Sequence, residues 1–544
     1  MRYLSENKRE DMRMKKRTAA RSMAALMGAA MVLTACGGGN TTAPTTGASS
    51  GGETQTASES AESGKITKTD IVVGQAADIV TLDPAGQQDT TSGVLMKHAY
   101  STLLDVDNEG KVVPDLAESY EMKSDTEYVF KLREDACFWD GTPVTAQDVK
   151  FSLDRAKGMP KTKSNTSKIE EVTVNGDHEV TIKLTEPYAA FKTIVTQHNL
   201  SILSEKAVTE AGDSYGDVDN LLGSGPFKVT EWVPNDHYTL VRNDNYWGEM
   251  PIATSITCRV IPEGSARTIA LEAGEIDVVW SVDPTDCANV ESNPDVKLLS
   301  QPSTGIDYVG MNTQKEKFSD KRVRQAINYA LDKQTFVDTI IEGRGLVANS
   351  YINAAIPGWT DEVEAYPYDP EKAKELLAEA GYPDGFECSI YVNGDLRTRS
   401  AQILQAQLAD VGIKVDISTY EWGALLDTLN AGEHEMFLLG WSNTSFDPDG
   451  STYQLFYSGN HGATGNRAFF SNDKVDELIL SAQRESEESK RMELYKELQF
   501  VLHDESPWCP LYYKENNVGV RADLKGFTLH AGAQHYLGNC HYEE

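Results

Sequence analysis

Hydrophobic positions along the chain follow two different periods. Alternating apolar and polar residues place Val172 and Val174 opposite Val180, Ile182 and Leu184, with Asn175-Gly176-Asp177 between them, and this spacing predicts a β-hairpin over 172–184. Ile71-Val72-Val73-Gly74 predicts a strand leading to a turn at Asp83-Pro84, and Val94 to Leu104 predicts a helix. From about Val309 the pattern becomes one of helices alternating with strands. Arg322 to Leu331 gathers Val323, Ile327, Ala330 and Leu331 on one helical face, and Asp369-Pro370 opens a helix that Gly381 closes. Ile403 to Val411 predicts another helix, with strands at Val415-Asp416-Ile417 and at Phe437 to Trp441. Late helices are predicted over Asp473–Ala482 and Glu488–Leu502, before Pro507-Trp508-Cys509-Pro510 interrupts the pattern. The class is α/β, with an α+β first part and no evident internal repeat.

The first residues obey a different rule. Lys15, Lys16, Arg17 and Arg21 precede a run of apolar and small residues from Met23 to Leu33, the pattern of an export signal and too short for a comfortable membrane span. Leu33-Thr34-Ala35-Cys36-Gly37 resembles the lipobox of bacterial lipoproteins, which implies a signal peptide over 1–35 and a lipid on Cys36. Residues 36–68 follow as a Gly, Ser and Thr tether without a large apolar residue before Ile66, and ordered structure is expected from about Thr69.

What remains is too long for one ordinary core and predicts at least two lobes. A net charge of −33, spread without long runs of one sign, argues against nucleic acid or an anionic lipid surface as partner. Beyond Cys36 lie Cys137, Cys258, Cys287, Cys388, Cys509 and Cys540; none has zinc-finger spacing, and fifteen full pairings stay open. Cys258 with Cys287 is the pair nearest in sequence, while Cys137 and Cys388 read as buried thiols. Catalytic signatures are lacking: there is no Gly-x-Ser-x-Gly, P-loop or His-Glu-x-x-His, and the glycines of Gly343 to Ala348 follow a helix and read as its cap. His530, His535, Cys540 and His541 offer donors suited to nickel or zinc, but without a spaced motif they read as surface residues at the chain end. No metal or other cofactor is expected.

Several segments, in order, resemble the peptide/nickel-type extracellular solute-binding proteins (family 5) of ABC transporters. They include Leu82-Asp83-Pro84, Val113-Pro114-Asp115-Leu116-Ala117-Glu118-Ser119-Tyr120, Phe138-Trp139-Asp140-Gly141-Thr142-Pro143, Gly223-Ser224-Gly225-Pro226-Phe227, Asn245-Tyr246-Trp247 and Ala270-Leu271-Glu272-Ala273-Gly274-Glu275. The resemblance implies a two-lobed periplasmic-binding-protein-like fold (type II, with an extra subdomain) and a two-stranded hinge. One lobe would be formed by 69–304 plus 510–544 and the other by 305–509, with solute bound in the cleft. It also implies a receptor without chemistry, monomeric, that hands a peptide or peptide-sized solute to the permease of an importer. A nickel or other metal chelate is the alternative, and a secreted hydrolase a remote one.

The resemblance also nominates site residues. Tyr420-Glu421-Trp422 matches a motif whose Trp lines the pocket in dipeptide-type members. Those members carry an Asp three residues after the Gly-Trp of the buried strand to meet a peptide's ammonium; here Gly440-Trp441 is followed by Ser442, Asn443 and Thr444, so the Asp is replaced by Thr444. Asp447 or Asp449 is a possible substitute, although both also suit a turn and helix cap. The Arg expected to meet the carboxylate is displaced: Tyr391 stands in its place, with Arg397, in the loop from Asn393, and Arg399 downstream. Ala77 and Asp78, just beyond the first strand, complete the candidate set. Thr145 and Asp148, by contrast, have the spacing of a helix cap.

Overall fold

Two long strands organise the chain. In the computed structural model, which describes residues 65–544, Val296–Met311 and Trp508–Arg521 run antiparallel along most of their length within a sheet of eleven strands. One end of the pair carries Val278–Val279, Asp70–Gln75, Ser255–Val260, His237–Arg242 and Phe227–Val233 in that order; the other carries Met436–Ser442, Glu387–Val392 and Lys414–Thr419. The ladder between the long strands breaks its register between Pro302 and Ile306. There Ser303 Oγ donates to the Lys514 carbonyl at 2.7 Å, and the Gly305 N–H donates to Ser303 Oγ at 3.0 Å. The same two strands thus serve both halves of the molecule and cross between them at an irregular, side-chain-bonded step.

Each lobe builds its core by period-two alternation on this sheet. In the second lobe Val309 and Leu438 face a cluster with Ile327, Leu377 and Leu404, whereas Tyr308, Phe437 and Leu439 face a cluster with Leu478, Leu498 and Trp508 on the opposite side. Helices Lys321–Ala330, Pro370–Glu379 and Gly394–Ala409 cover the first face; Asp449–Phe456, Asp473–Arg484 and Glu488–Glu505 cover the second. In the first lobe Ile71, Val73, Tyr238, Leu240 and Ile256 share one cluster. A separate antiparallel sheet of Ala117–Ser124, Glu127–Leu132, Glu179–Leu184 and Ile169–Gly176 forms the extra subdomain around Phe130, Ile182 and Leu153. Helix Ala146–Lys157 joins it through a full capping box between Thr145 and Asp148. The crossing at Gly223-Ser224-Gly225 is sterically obligatory, since a Cβ on Gly223 would lie 2.1 Å from the Ala99 carbonyl oxygen.

Several expectations need correction. The helix expected over 94–104 is Thr90–Ala99, because Asp89 accepts from the Ser92 N–H at 2.9 Å and starts it earlier. The helix expected from Ile403 begins at Gly394, so Arg397 stands in its first turn instead of in a loop. Order begins before Thr69, where Ile66–Lys68 pairs with Tyr542–Glu543. Gly343, at φ 75, ends a turn, but the residues after it form strand Gly345–Val347 against Tyr512–Lys514. The six cysteines among the described residues are free thiols, Cys258 and Cys287 lie in separate apolar clusters, and Cys137 is half-buried. Three of the four C-terminal donors are not at the surface: His530 and His535 are 2% exposed and Cys540 is 0%, while His541 is half-buried. His535 stacks on Trp280, and the Leu537 N–H donates to His98 Nε2. The signal segment and Cys36 lie outside the described residues. Among the described residues no helix is long and apolar enough to cross a membrane.

Candidate binding cleft

Between the lobes lies a cavity of about 420 Å³, with walls drawn from both sides of the hinge and from the hinge strands themselves. That volume falls in the roughly 300–1,000 Å³ range of small-molecule sites. From the first lobe come the end of strand Asp70–Gln75, the start of helix Thr90–Ala99, Gln197 to Asn199, Trp280 and the C-terminal tail. The second lobe supplies Arg397, Trp422, the segment Leu439 to Ser442, Thr444 and Arg467.

The lobes meet directly around this space. Thr444 Oγ1 donates to Gln197 Oε1 at 2.9 Å, Tyr188 donates to Asp449 Oδ2 at 2.6 Å, and the Ala189 N–H donates to the Gln483 carbonyl at 2.8 Å. Across the other margin Arg399 bonds Asp283 at 2.6 Å and Arg344 bonds Glu291 at 2.7 Å. The cleft is closed.

Of the nominated residues, the structure places Trp422, Trp441, Thr444, Arg397 and Ala77 on the wall. Trp422 opens helix Trp422–Asn430, with the Arg397 guanidinium 6.0 Å from its ring centre. Trp441 is fixed by donation from Nε1 to the Gly450 carbonyl at 3.0 Å. Asn443, Asp447, Asp78 and Tyr391 are not on the wall, because other groups occupy them. Asn443 is 2% exposed and ties its own loop together, donating to the Asp447 carbonyl and to Ser451 Oγ, both at 2.7 Å. Asp447 receives both ends of the Arg491 fork, with Nη1 at 2.9 Å. Its neighbour Asp449 accepts from Tyr188 and Gln483 inside the protein. Asp78 accepts from Trp232 and from the Asn235 N–H, and Tyr391 packs on Tyr420 at 5.0 Å.

Sequence reasoning missed three groups of residues. Asp89, Gln75 and Trp280 were hidden because an N-cap and two strand-end residues look like scaffold. Arg467 stands in a loop whose sequence carries no signature. Gln534 and His535 belong to a tail that reads as surface. What distinguishes the wall is a set of buried polar atoms without hydrogen bonds: Gln75 Nε2, Asp89 Oδ2, Trp280 Nε1, Arg397 Nε, Trp422 Nε1 and Gln534 Oε1. Buried polar groups are ordinarily satisfied, so such a convergence marks where a polar ligand completes the structure. Burial raises the Asp89 pKa above the usual carboxylate value; the Trp422 N–H opposes that shift without reaching bonding geometry. Burial likewise lowers the Arg467 pKa, and it holds His198 and His535 neutral, each at about 3.

Residues 111–463 match the family model described as bacterial extracellular solute-binding proteins, family 5 Middle. The glutathione-binding protein GsiB of Escherichia coli (strain K12) is 31% identical over 479 residues, covering 85% of this chain and 92% of that protein. The dipeptide-binding protein of the same organism is 30% identical over 470 residues, covering 80% and 86%. Among solved structures, the periplasmic binding protein DppA from Helicobacter pylori in complex with peptide STSA superposes with a TM-score of 0.84 at 28% identity, over 88% of this chain and 99% of that one. The chain belongs to the family 5 bacterial extracellular solute-binding proteins.

Proposed function

We propose that the chain captures a peptide or a similarly sized organic solute outside the cytoplasmic membrane, tethered there by a lipid on Cys36, and delivers it to the permease of an ABC importer. The observation that carries this reading is the closed cavity in which several buried polar atoms lack partners in the protein while three tryptophans stand on the wall. Aromatic walls bind side chains of many shapes at low entropic cost, and the unpaired polar groups fix the ligand's main-chain-like parts. The relatives named for glutathione and dipeptides, and the neighbour bound to peptide STSA, support cargo of this class. Lobes 69–304 plus 510–544 and 305–509, joined near the register break, give the closing motion its parts.

A metal chelate is the second reading. Among the described residues no three His, Cys, Asp or Glu side chains converge on one point, so a chelate would have to be gripped by its organic part. Native mass spectrometry of protein purified without denaturation separates the readings. The expected result is one peptide-like molecule per chain and a diacylglycerol-modified mature N-terminus. A bound metal complex, or a non-peptidic solute, would overturn the peptide assignment, and a mature chain without lipid would overturn the tether.

A further inference from the structure

Arg467 is a buried cation without a counter-charge. Its side chain is buried, with the residue 5% exposed, and its one hydrogen bond runs from Nε to Asn430 Oδ1 at 3.0 Å. No carboxylate of the described residues lies within 4.0 Å of it. Other buried arginines are better compensated: Arg491 holds Asp447, Arg324 holds Glu505 and its carbonyl, and Arg267 bonds three carbonyls, although Nε of Arg491 and of Arg267 is itself unbonded. A buried guanidinium without a counter-charge is costly, and here it faces a cavity. The loop is built to present it, since His434 Nε2 bonds the Arg467 carbonyl at 2.8 Å and Asn466 Nδ2 bonds the Phe470 carbonyl at 2.9 Å.

Asp89 is the complementary case on the facing lobe. Its Oδ1 caps Ser92, while Oδ2 is buried on the cavity side without a donor. The two charges influence each other yet form no ion pair. A cavity that holds Arg467 and Asp89 apart, neither of them in an ion pair, is complementary to a ligand carrying both signs. The expected anchors cannot fill these roles here: Thr444 has no charge, and Arg397 is already drawn to Asn393 and Asp307.

Resting on the peptide-class reading above, we infer that Asp89 receives the ligand's ammonium and Arg467 its carboxylate, so that the cargo is an unblocked zwitterion whose two charges are read from opposite lobes. Closure then brings the anchors together only around a ligand that supplies both charges.

The test uses an equimolar library of free tripeptides, its N-acetylated form and its C-amidated form, titrated into ligand-stripped wild type, Asp89→Asn and Arg467→Gln. The wild type is expected to bind the free library at least tenfold more tightly than either blocked form. Asp89→Asn should lose the discrimination against acetylation alone, and Arg467→Gln that against amidation alone. Arg467→Lys, which keeps the charge, should retain discrimination against amidation even if Arg467→Gln fails to fold. Wild type that binds the free library while ignoring blocked ends, or variants that discriminate as wild type does, would overturn the anchor assignment and leave the peptide reading standing. Wild type that binds none of the three libraries would overturn both.

Discussion

Asp447 and Arg491 are 11% and 9% exposed at their side chains and bond through both terminal guanidinium nitrogens. A paired, hydrogen-bonded couple of this kind is tolerated inside a protein, whereas removing one partner strands the other and typically costs about 3–5 kcal/mol. Asp447→Asn is therefore expected to lower the melting temperature clearly while leaving the solute dissociation constant within about twofold; a changed ligand preference at unchanged stability would place Asp447 in the site after all. Residue roles of this sort were only partly legible. Trp422 could be found because its local motif survives intact, and the loss at Thr444 could be seen because one position in a motif changed. Asp447 could not be settled, since the sequence gives two acids beside a proline the same appearance in a cleft or in a buried network. Arg467 and Asp89 were invisible for a physical reason: what marks them is the absence of a counter-charge, and ion pairs are set by folding.

At the scale of elements, the proposed closure has its parts in the long strands and in the contacts across the cleft. Val296–Met311 and Trp508–Arg521 provide a continuous connection whose ladder is interrupted only at short steps, and Asn353 Nδ2 bonds the Gly305 carbonyl beside the larger one at 2.5 Å. Rotation is easiest where backbone pairing is already broken. Tyr188 and Asp449 face each other across the cleft, so the proposed opening would break their 2.6 Å bond. Tyr188→Phe is expected to remove about 1–2 kcal/mol from the closed state, since a buried carboxylate loses a donor. Stopped-flow measurement should show a several-fold faster solute release with the association rate little changed; unaltered release would mean that the bond does not hold the cleft shut. Most strands and helices could be read from periodicity, with ends displaced where a cap lay outside the apolar pattern, as with Asp89 and Asn393-Gly394. The tail was misread because its burial depends on His98 and Trp280, more than 200 residues away in sequence.

At the scale of the whole molecule, a solute-binding protein needs no catalytic group, and its buried titratable residues instead set the conditions under which it stays folded. Burial holds His98, His434 and His530 at about 4 and His198 and His535 at about 3, against 6.5 for an unperturbed histidine. Below pH 6.5 the unfolded chain takes up protons at these sites and the folded chain does not. Stability therefore falls as pH drops toward 4, by roughly 1.4 kcal/mol per pH unit for each histidine. Asp115 and Asp449, raised to about 7 and about 6 chiefly by burial, act in the opposite direction, because the folded chain keeps protons there that the unfolded chain releases above 3.8. Five histidines against three raised carboxylates, the buried Asp89 among them, leave a net loss, so urea unfolding at pH 5 should give a lower folding free energy than at pH 7. An equal or higher value at pH 5 would contradict the neutral histidine core.

The proposed capture by lobe closure would tie these scales together: unpaired polar atoms at the cleft, a broken ladder between the long strands, and bonds made where the lobes meet. Small-angle X-ray scattering of ligand-stripped protein, before and after addition of the solute found by native mass spectrometry, tests it most directly. The predicted result is a larger radius of gyration without solute that returns, at one equivalent, to the value calculated for the closed form. A radius of gyration that does not change while solute binds would contradict capture by closure.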